Sequence, residues 1–134
     1  MNPERPGSVV ERVLVVDDNE DAAEMLSETL LDLGYVVRIA ADGPSALLVA
    51  KEFQPQVALL DIGLPEMDGY ELGRRLRDAY GATGLRLVAL TGFGEAAHKA
   101  RSREAGFDAH LVKPVDLAKL KQWLQGIRPG ASPP

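Results

Sequence analysis

The stretch Val57-Ala58-Leu59-Leu60-Asp61-Ile62-Gly63-Leu64-Pro65 decides the reading of this chain. Four apolar residues run straight into one carboxylate, and Gly63 and Pro65 follow within four positions. A short, uniformly apolar run predicts a strand buried on both faces, as in a parallel sheet. Gly63 and Pro65 then turn the chain. Asp61 is thereby placed at the carboxyl end of a buried strand, the edge where open α/β sheets bind ligands.

The same pattern recurs outward from that stretch. Arg12-Val13-Leu14-Val15-Val16 predicts a second buried strand, ending on Asp17-Asp18. Asp18 or Asn19 is placed to cap the next helix, in which Ala22, Leu26, Leu30 and Leu33 recur at helical spacing before Gly34 stops it. Tyr35 to Ala40 predicts a shorter strand. Asp42-Gly43-Pro44 starts a second helix with Ala46, Leu47 and Ala50 turned inward. Asp68-Gly69 opens a third helix, with Leu72 and Leu76 as its apolar stripe. Leu85 to Leu90 predicts a fourth strand ending on Thr91, followed by the loop Gly92-Phe93-Gly94. A helix from about Glu95 to Ala105 offers only alanines, Ala96, Ala97, Ala100 and Ala105, and Gly106 ends it. Asp108 to Val112 predicts a fifth strand, ending on Lys113-Pro114. Leu117, Leu120, Leu124 and Ile127 then share one face of a last helix, with Trp123 beside that stripe.

Strands alternating with helices over short links predict an α/β fold with a parallel sheet covered on both faces. Right-handed crossovers put all strand ends on one edge. Asp17 and Asp18, Asp61, Thr91 and Lys113 then meet there, although they are far apart in sequence. Each residue alone has an ordinary explanation: Asp17-Asp18 as a helix cap, Asp61 as a turn residue, Lys113 as a surface lysine, Thr91 as a strand threonine. Their arrival at one edge favours a common chemical task. Three converging carboxylates repel one another unless a cation is present, and hard oxygen ligands suit Mg²⁺.

Composition narrows the classes. The chain has 134 residues, 46% of them hydrophobic, which suits one domain with one core. A formal net charge of −5 argues against direct nucleic-acid binding. There is no cysteine, so neither disulfides nor thiol chemistry contribute. No apolar run is long enough for membrane insertion, and a cytoplasmic location is expected. Residues 1–10 read as a flexible leader, 11–127 as the domain, and 128–134 as a Pro-rich tail or linker stub. His98 and His110 lack paired ligand spacing and do not form a metal site.

With these residues in hand the chain resembles the receiver domain of two-component response regulators. The resemblance runs over about residues 11 to 127. It rests on Val15-Val16-Asp17-Asp18, on Leu60-Asp61-Ile62-Gly63-Leu64-Pro65 with Met67-Asp68-Gly69, on Ala89-Leu90-Thr91-Gly92 and on Val112-Lys113-Pro114. It implies a flavodoxin-like (βα)5 three-layer sandwich with a parallel sheet of order 2-1-3-4-5. It also implies that Asp61 accepts a phosphoryl group from a histidine kinase or histidine phosphotransfer protein, with Mg²⁺ as cofactor. Asp18, Asp61 and the Gly63 carbonyl are implied as metal ligands, with Asp17 acting through water. Lys113, before a cis Pro114, is implied to pair with Asp61 at rest and with the phosphoryl group afterwards. Thr91 is implied as the switch hydroxyl. Gly63 and Phe93, each two residues past a site residue, are implied to flank the phosphoryl group. Such a domain catalyses only its own phosphorylation and dephosphorylation in a two-component system or phosphorelay. The texture around Thr91 and Lys113 also looks like receivers in or beside hybrid histidine kinases.

One departure stands out. The family's usual switch aromatic, three residues before the lysine, is His110 here. An imidazole is smaller, polar and titratable, so an altered switch is expected. The poorly anchored 95–105 helix points to an output or dimer face over 95–127. The alternative function is a phosphorylation-independent protein-interaction module of the same fold. A small-molecule phosphatase lacks its second aspartate, since Gly63 stands in that place. A flavin phosphate would be repelled by Asp17-Asp18. Stand-alone, phosphorelay and excised receivers all remain open.

Overall fold

A computed structural model describes residues 11–64, 67–92 and 106–126. The elements are β1 (Arg12–Val16), α1 (Glu20–Asp32), β2 (Val36–Ala40), α2 (Gly43–Phe53), β3 (Val57–Asp61), α3 (Gly69–Gly84), β4 (Arg86–Thr91), β5 (Ala109–Val112) and α4 (Leu117–Gly126). The strands form one parallel sheet of order β2-β1-β3-β4-β5. The expected helix at 95–105 lies outside the described residues, as do the leader, the tail, Pro65, Phe93, Gly94, His98 and Ile127.

The central strands are apolar throughout because both of their faces are covered. Alternate residues serve opposite layers. Val13, Val15, Val57, Leu59, Val88 and Leu90 pack against Ala23, Leu26 and Leu30 of α1 and Leu120 and Leu124 of α4. Leu14, Val16, Ala58, Leu60, Leu87 and Ala89 pack against Ala46 and Ala50 of α2, Tyr70, Leu72 and Leu76 of α3, and Phe107. Burying a leucine on either side contributes about 2 kcal/mol. The sheet is held mainly by this two-sided burial, with edge strand β2 the most exposed.

Helix starts follow their caps. Asn19, rather than Asp18, caps α1, its Oδ1 accepting the Ala22 N–H at 3.0 Å. Asp42 caps α2 by accepting the Ser45 N–H, and Asp68 caps α3 by accepting the Glu71 N–H. The acidic caps also complement the positive helix ends. At Gly69 the fit is tight: a Cβ there would lie 2.6 Å from the Asp61 carbonyl oxygen and 2.7 Å from Ile62 Cα. The Gly69 N–H donates to the Ile62 carbonyl at 3.0 Å. The start of α3 therefore rests directly on the backbone that carries Asp61.

Several inward assignments shift by a position. Ala23, not Ala22, is the buried alanine of α1, because it heads the Ala23/Leu26/Leu30 row while Ala22 lies on its flank. Leu33 is only partly buried, packed at the edge of the same cluster. Leu117 is 40% exposed, since it sits in the first turn of α4, above the level where Leu120 and Leu124 meet the sheet. Trp123 is partly buried against the α1/α4 layer. No described helix is long and apolar enough to cross a membrane.

Candidate functional site

Parallel strands bring the chemistry-bearing residues to one edge. Asp17 directly follows β1, Asp61 ends β3, Thr91 ends β4, and Lys113 directly follows β5. Backbone bonds fix these ends against one another. The Asp17 N–H donates to Ala40, the Ile62 N–H to Leu90, and the Lys113 N–H to Thr91 at 2.6 Å. The Lys113–Pro114 peptide is cis.

The side chains form one charged group. The Lys113 Nζ lies 3.0 Å from Asp17 Oδ2 and 3.3 Å from Asp61 Oδ2. The other oxygen of each carboxylate is held by a backbone amide two residues on. Asp17 Oδ1 accepts the Asn19 N–H and Asp61 Oδ1 accepts the Gly63 N–H, both at 3.0 Å. Asp17, Asp18 and Asp61 offer carboxylate oxygens all within 4.8 Å of one another. Asp17 is 4% exposed, whereas Asp18 is open to solvent.

The electrostatics follow. Burial raises the Asp61 carboxyl above its ordinary 3.8, against the pull of the Gly63 amide and the Lys113 ammonium; the Asp17 charge raises it further. Burial works against the charged form of Lys113, yet Asp17 and Asp61 together hold its pKa above 10.5. The lysine is thus protonated and the aspartate is poised by competing causes. Thr91 is 2% exposed and its Oγ1, a buried hydroxyl, has no hydrogen-bond partner among the described residues. A buried hydroxyl without a partner costs stability.

Among the described residues a Cβ on Gly63 would meet only Asp61 Oδ1, at 3.8 Å, so no described side chain crowds Asp61 from there. His110 lies on β5 opposite Ala89, half-buried, on the sheet face opposite to Ala109 and Leu111. Beside the charged group is a cavity of about 190 Å³, walled by Met25, Leu26, Leu90, Val115 and Leu117 with Asp17 and Lys113 at one side. Met25 and Leu117, both exposed, stand in its wall. The Asp17–Lys113 contact, between residues 96 apart, is the feature that sequence spacing did not single out. Only the shared strand edge pointed towards it.

The donor set suits a hard divalent cation: three carboxylates with no soft ligand. Residues 13–125 match the family described as response regulator receiver domain. An uncharacterized 14.6 kDa protein of Leptolyngbya boryana is 34% identical over 113 residues, 84% of this chain and 86% of that one. The sensor histidine kinase RcsC of Salmonella typhi is 41% identical over 112 residues, which are 84% of this chain but 12% of the kinase. Among solved structures, the chemotaxis protein CheY4 of Vibrio cholerae superposes with a TM-score of 0.83 at 32% identity, covering 89% of this chain and 99% of that one.

Proposed function

This chain belongs to the response regulator receiver domain family, and on that premise we propose that Asp61 is its phosphoryl acceptor in a two-component system or phosphorelay. The donor is a phosphohistidine of a histidine kinase or histidine phosphotransfer protein. One observation carries the reading: a carboxylate at the end of β3 lies 3.3 Å from a lysine ammonium, within a three-carboxylate group.

In the transfer, an Asp61 carboxylate oxygen forms the new bond to phosphorus as the P–N bond to the donor imidazole breaks. The imidazole leaves and takes up a proton. An anionic nucleophile meeting an anionic donor needs positioning and charge neutralisation more than acid–base help. Lys113 supplies one positive charge beside the acceptor. Thr91 supplies a hydroxyl that has no partner among the described residues, and its donation to a phosphoryl oxygen would draw the end of β4 inward. Asp17, Asp18, Asp61 and the Gly63 carbonyl are the residues to hold Mg²⁺. That ion, when bound, supplies neutralising charge on the phosphoryl oxygens. Hydrolysis of the acyl phosphate by water returns Asp61 to its starting state, so the domain turns over only itself.

The working unit is 11–127, in the cytoplasm where such kinases present their phosphohistidines. His110 takes the aromatic's place in the switch, and the 95–127 face meets the output partner or a second copy. The phosphorylation-independent alternative rests on His110 alone, and the presence of the acceptor, lysine, hydroxyl and acidic group argues against it.

The test is intact mass after incubation with Mg²⁺ and a small acyl phosphate, with Asp61→Asn alongside. One Mg²⁺-dependent phosphoryl adduct, absent from Asp61→Asn, is the expected result. No adduct from the small donor or from a panel of phosphorylated kinases would overturn the reading.

A further inference from the structure

The outer strand β2 uses only half of its backbone within the sheet. The Val36 N–H donates to Glu11 and the Ala40 carbonyl accepts from Asp17, so the even-numbered residues face β1. In a parallel ladder the residues between them face the other way. The N–H and C=O groups of Val37 and Ile39 therefore point off the edge of the sheet. Edge strands are usually blunted by a lysine, a proline or a bulge. None of these interrupts β2, which keeps register with β1 along its whole length. Its one cation, Arg38, lies over the Phe53 ring of α2, 5.2 Å from the centroid.

The face beside this edge has a definite chemistry. Val37 packs on the α1 side of the sheet. Ile39, two residues on, shares that side, yet is 41% exposed. On α1, Ala22, Met25 and Leu26 border α4 through the cavity. The opposite flank, with Glu20, Glu24 and Leu31, looks over β2, on which α1 packs. Leu31 is 53% exposed. The helix holds five carboxylates, Glu20, Asp21, Glu24, Glu28 and Asp32, and no lysine or arginine. None of the five forms an ion pair among the described residues. Glu20, Glu24 and Glu28 stand four residues apart, where like charges weaken a helix, and Asp32 stands at the negative helix end. A basic neighbour would relieve both costs.

We propose that β2 accepts a sixth strand from a partner protein, an extended segment in which lysine or arginine alternates with β-branched residues. Its backbone pairs with Val37 and Ile39. Alternate side chains of a strand face opposite ways, so the basic ones lie together on the α1 side. There their alkyl stems cover Ile39 and Leu31 while their charged ends meet the α1 carboxylates. The β-branched ones lie on the other side, beside the exposed Val36. A second copy of this chain fits less well, because antiparallel pairing of β2 with itself sets two acidic α1 helices side by side on one face. The surface is additional to the Asp61 acceptor and does not depend on it.

The test is a short labelled peptide of alternating lysine and valine, titrated into the full chain by fluorescence anisotropy, with a glutamate–valine peptide as control. The lysine peptide should bind and the glutamate peptide should not. On binding, amide hydrogen exchange should slow at Val37 and Ile39 and stay unchanged at Val36 and Arg38, whose N–H groups already face β1. Ile39→Pro deletes an outward donor and spares the β1 ladder, and should weaken binding about tenfold. Glu24→Lys combined with Glu28→Lys should weaken it about tenfold or more. Binding with unchanged exchange at Val37 and Ile39 would reduce the interaction to diffuse charge attraction and overturn the proposal. So would no binding of the lysine peptide. Sedimentation of the chain as a dimer that Ile39→Pro dissociates would also overturn it, by giving the edge to a second copy. Should Ile39→Pro not fold, the exchange pattern of the wild type decides alone.

Discussion

The two edges of the sheet treat polar residues in opposite ways. At the amino edge they saturate one another. Arg77 reaches from α3 and donates to the carbonyls of Gly81, Leu85 and Gly106 and to Asp108 Oδ2, at 2.6 to 3.0 Å. Asp108 in turn accepts the Leu87 N–H. Arg12 donates through Nε to the carbonyls of Phe53 and Gln54, and its backbone N–H donates to Gln56 Oε1. At the carboxyl edge the demands are left open: Asp17 and Asp61 share one ammonium, Asp18 faces solvent, and among the described residues the buried Thr91 hydroxyl has no partner. The same strands thus run from an end that stabilises to an end that is poised. A polar group that is satisfied within the protein contributes to the fold, and one left wanting contributes to chemistry.

Three experiments would break or sharpen that contrast. The largest effect is expected at the amino edge. Arg77→Ala removes the donor to three carbonyls, two of them partly buried, and one of the partners of Asp108, which keeps the Leu87 N–H and Arg86; it should cost about 3 kcal/mol in urea unfolding. A loss under 1 kcal/mol would mean that water replaces the guanidinium there and that the edge is not a clamp.

At the carboxyl edge the sign reverses. Asp61 has a folded pKa raised above its ordinary 3.8, so the folded state binds its proton more tightly than the unfolded chain. The stability from this group is fully present below 3.8 and is lost as pH rises through the raised pKa. At neutral pH the ionised carboxylate weighs against the metal-free fold. Asp61→Asn should therefore raise Tm at pH 7 by about 2–5 °C, and the gain should shrink as pH is lowered. A lower Tm at pH 7 would show that the Lys113 contact outweighs burial.

The smallest effect belongs to Thr91. Thr91→Val deletes a hydroxyl without a partner among the described residues, and should leave stability within about 1 kcal/mol of wild type or slightly above it. A loss of 2 kcal/mol or more in the same urea titration would reveal a partner for Oγ1 in the resting protein.

Much of this was legible in the sequence, for a specific reason. β1 and β3 are buried on both faces, so they read as unbroken apolar runs, and the polar residue ending each run is conspicuous. Asp61, Thr91 and Lys113 were placed at strand ends by that logic, and the sheet order followed from the resemblance. What stayed hidden depends on side-chain reach. Ala22 and Ala23 both stand at helical spacing from Leu26 and Leu30, so periodicity alone does not separate them. Arg77 reads like Arg74 and Arg75, yet those two clip Glu71 on the exposed surface while Arg77 meets Gly106 and Asp108. The Asp17–Lys113 pair depends on which of two adjacent acids turns inward, and an adjacent pair carries no signal for that. Leu117 kept its helical spacing but sits too early in α4 to reach the sheet.

The division of the core into two layers has a spectroscopic consequence. The chain has one tryptophan, and Trp123 packs on the α1/α4 layer alone. The opposite layer holds Phe107, Tyr70 and Tyr80. Emission excited at the red edge, where tyrosine is silent, therefore listens to one side of the sheet. An unfolding curve recorded that way reports the layer beside α1 and is deaf to loosening around α2 and α3. Two-state behaviour in this molecule is established only when that curve coincides with one from far-ultraviolet circular dichroism, which hears both sides at once.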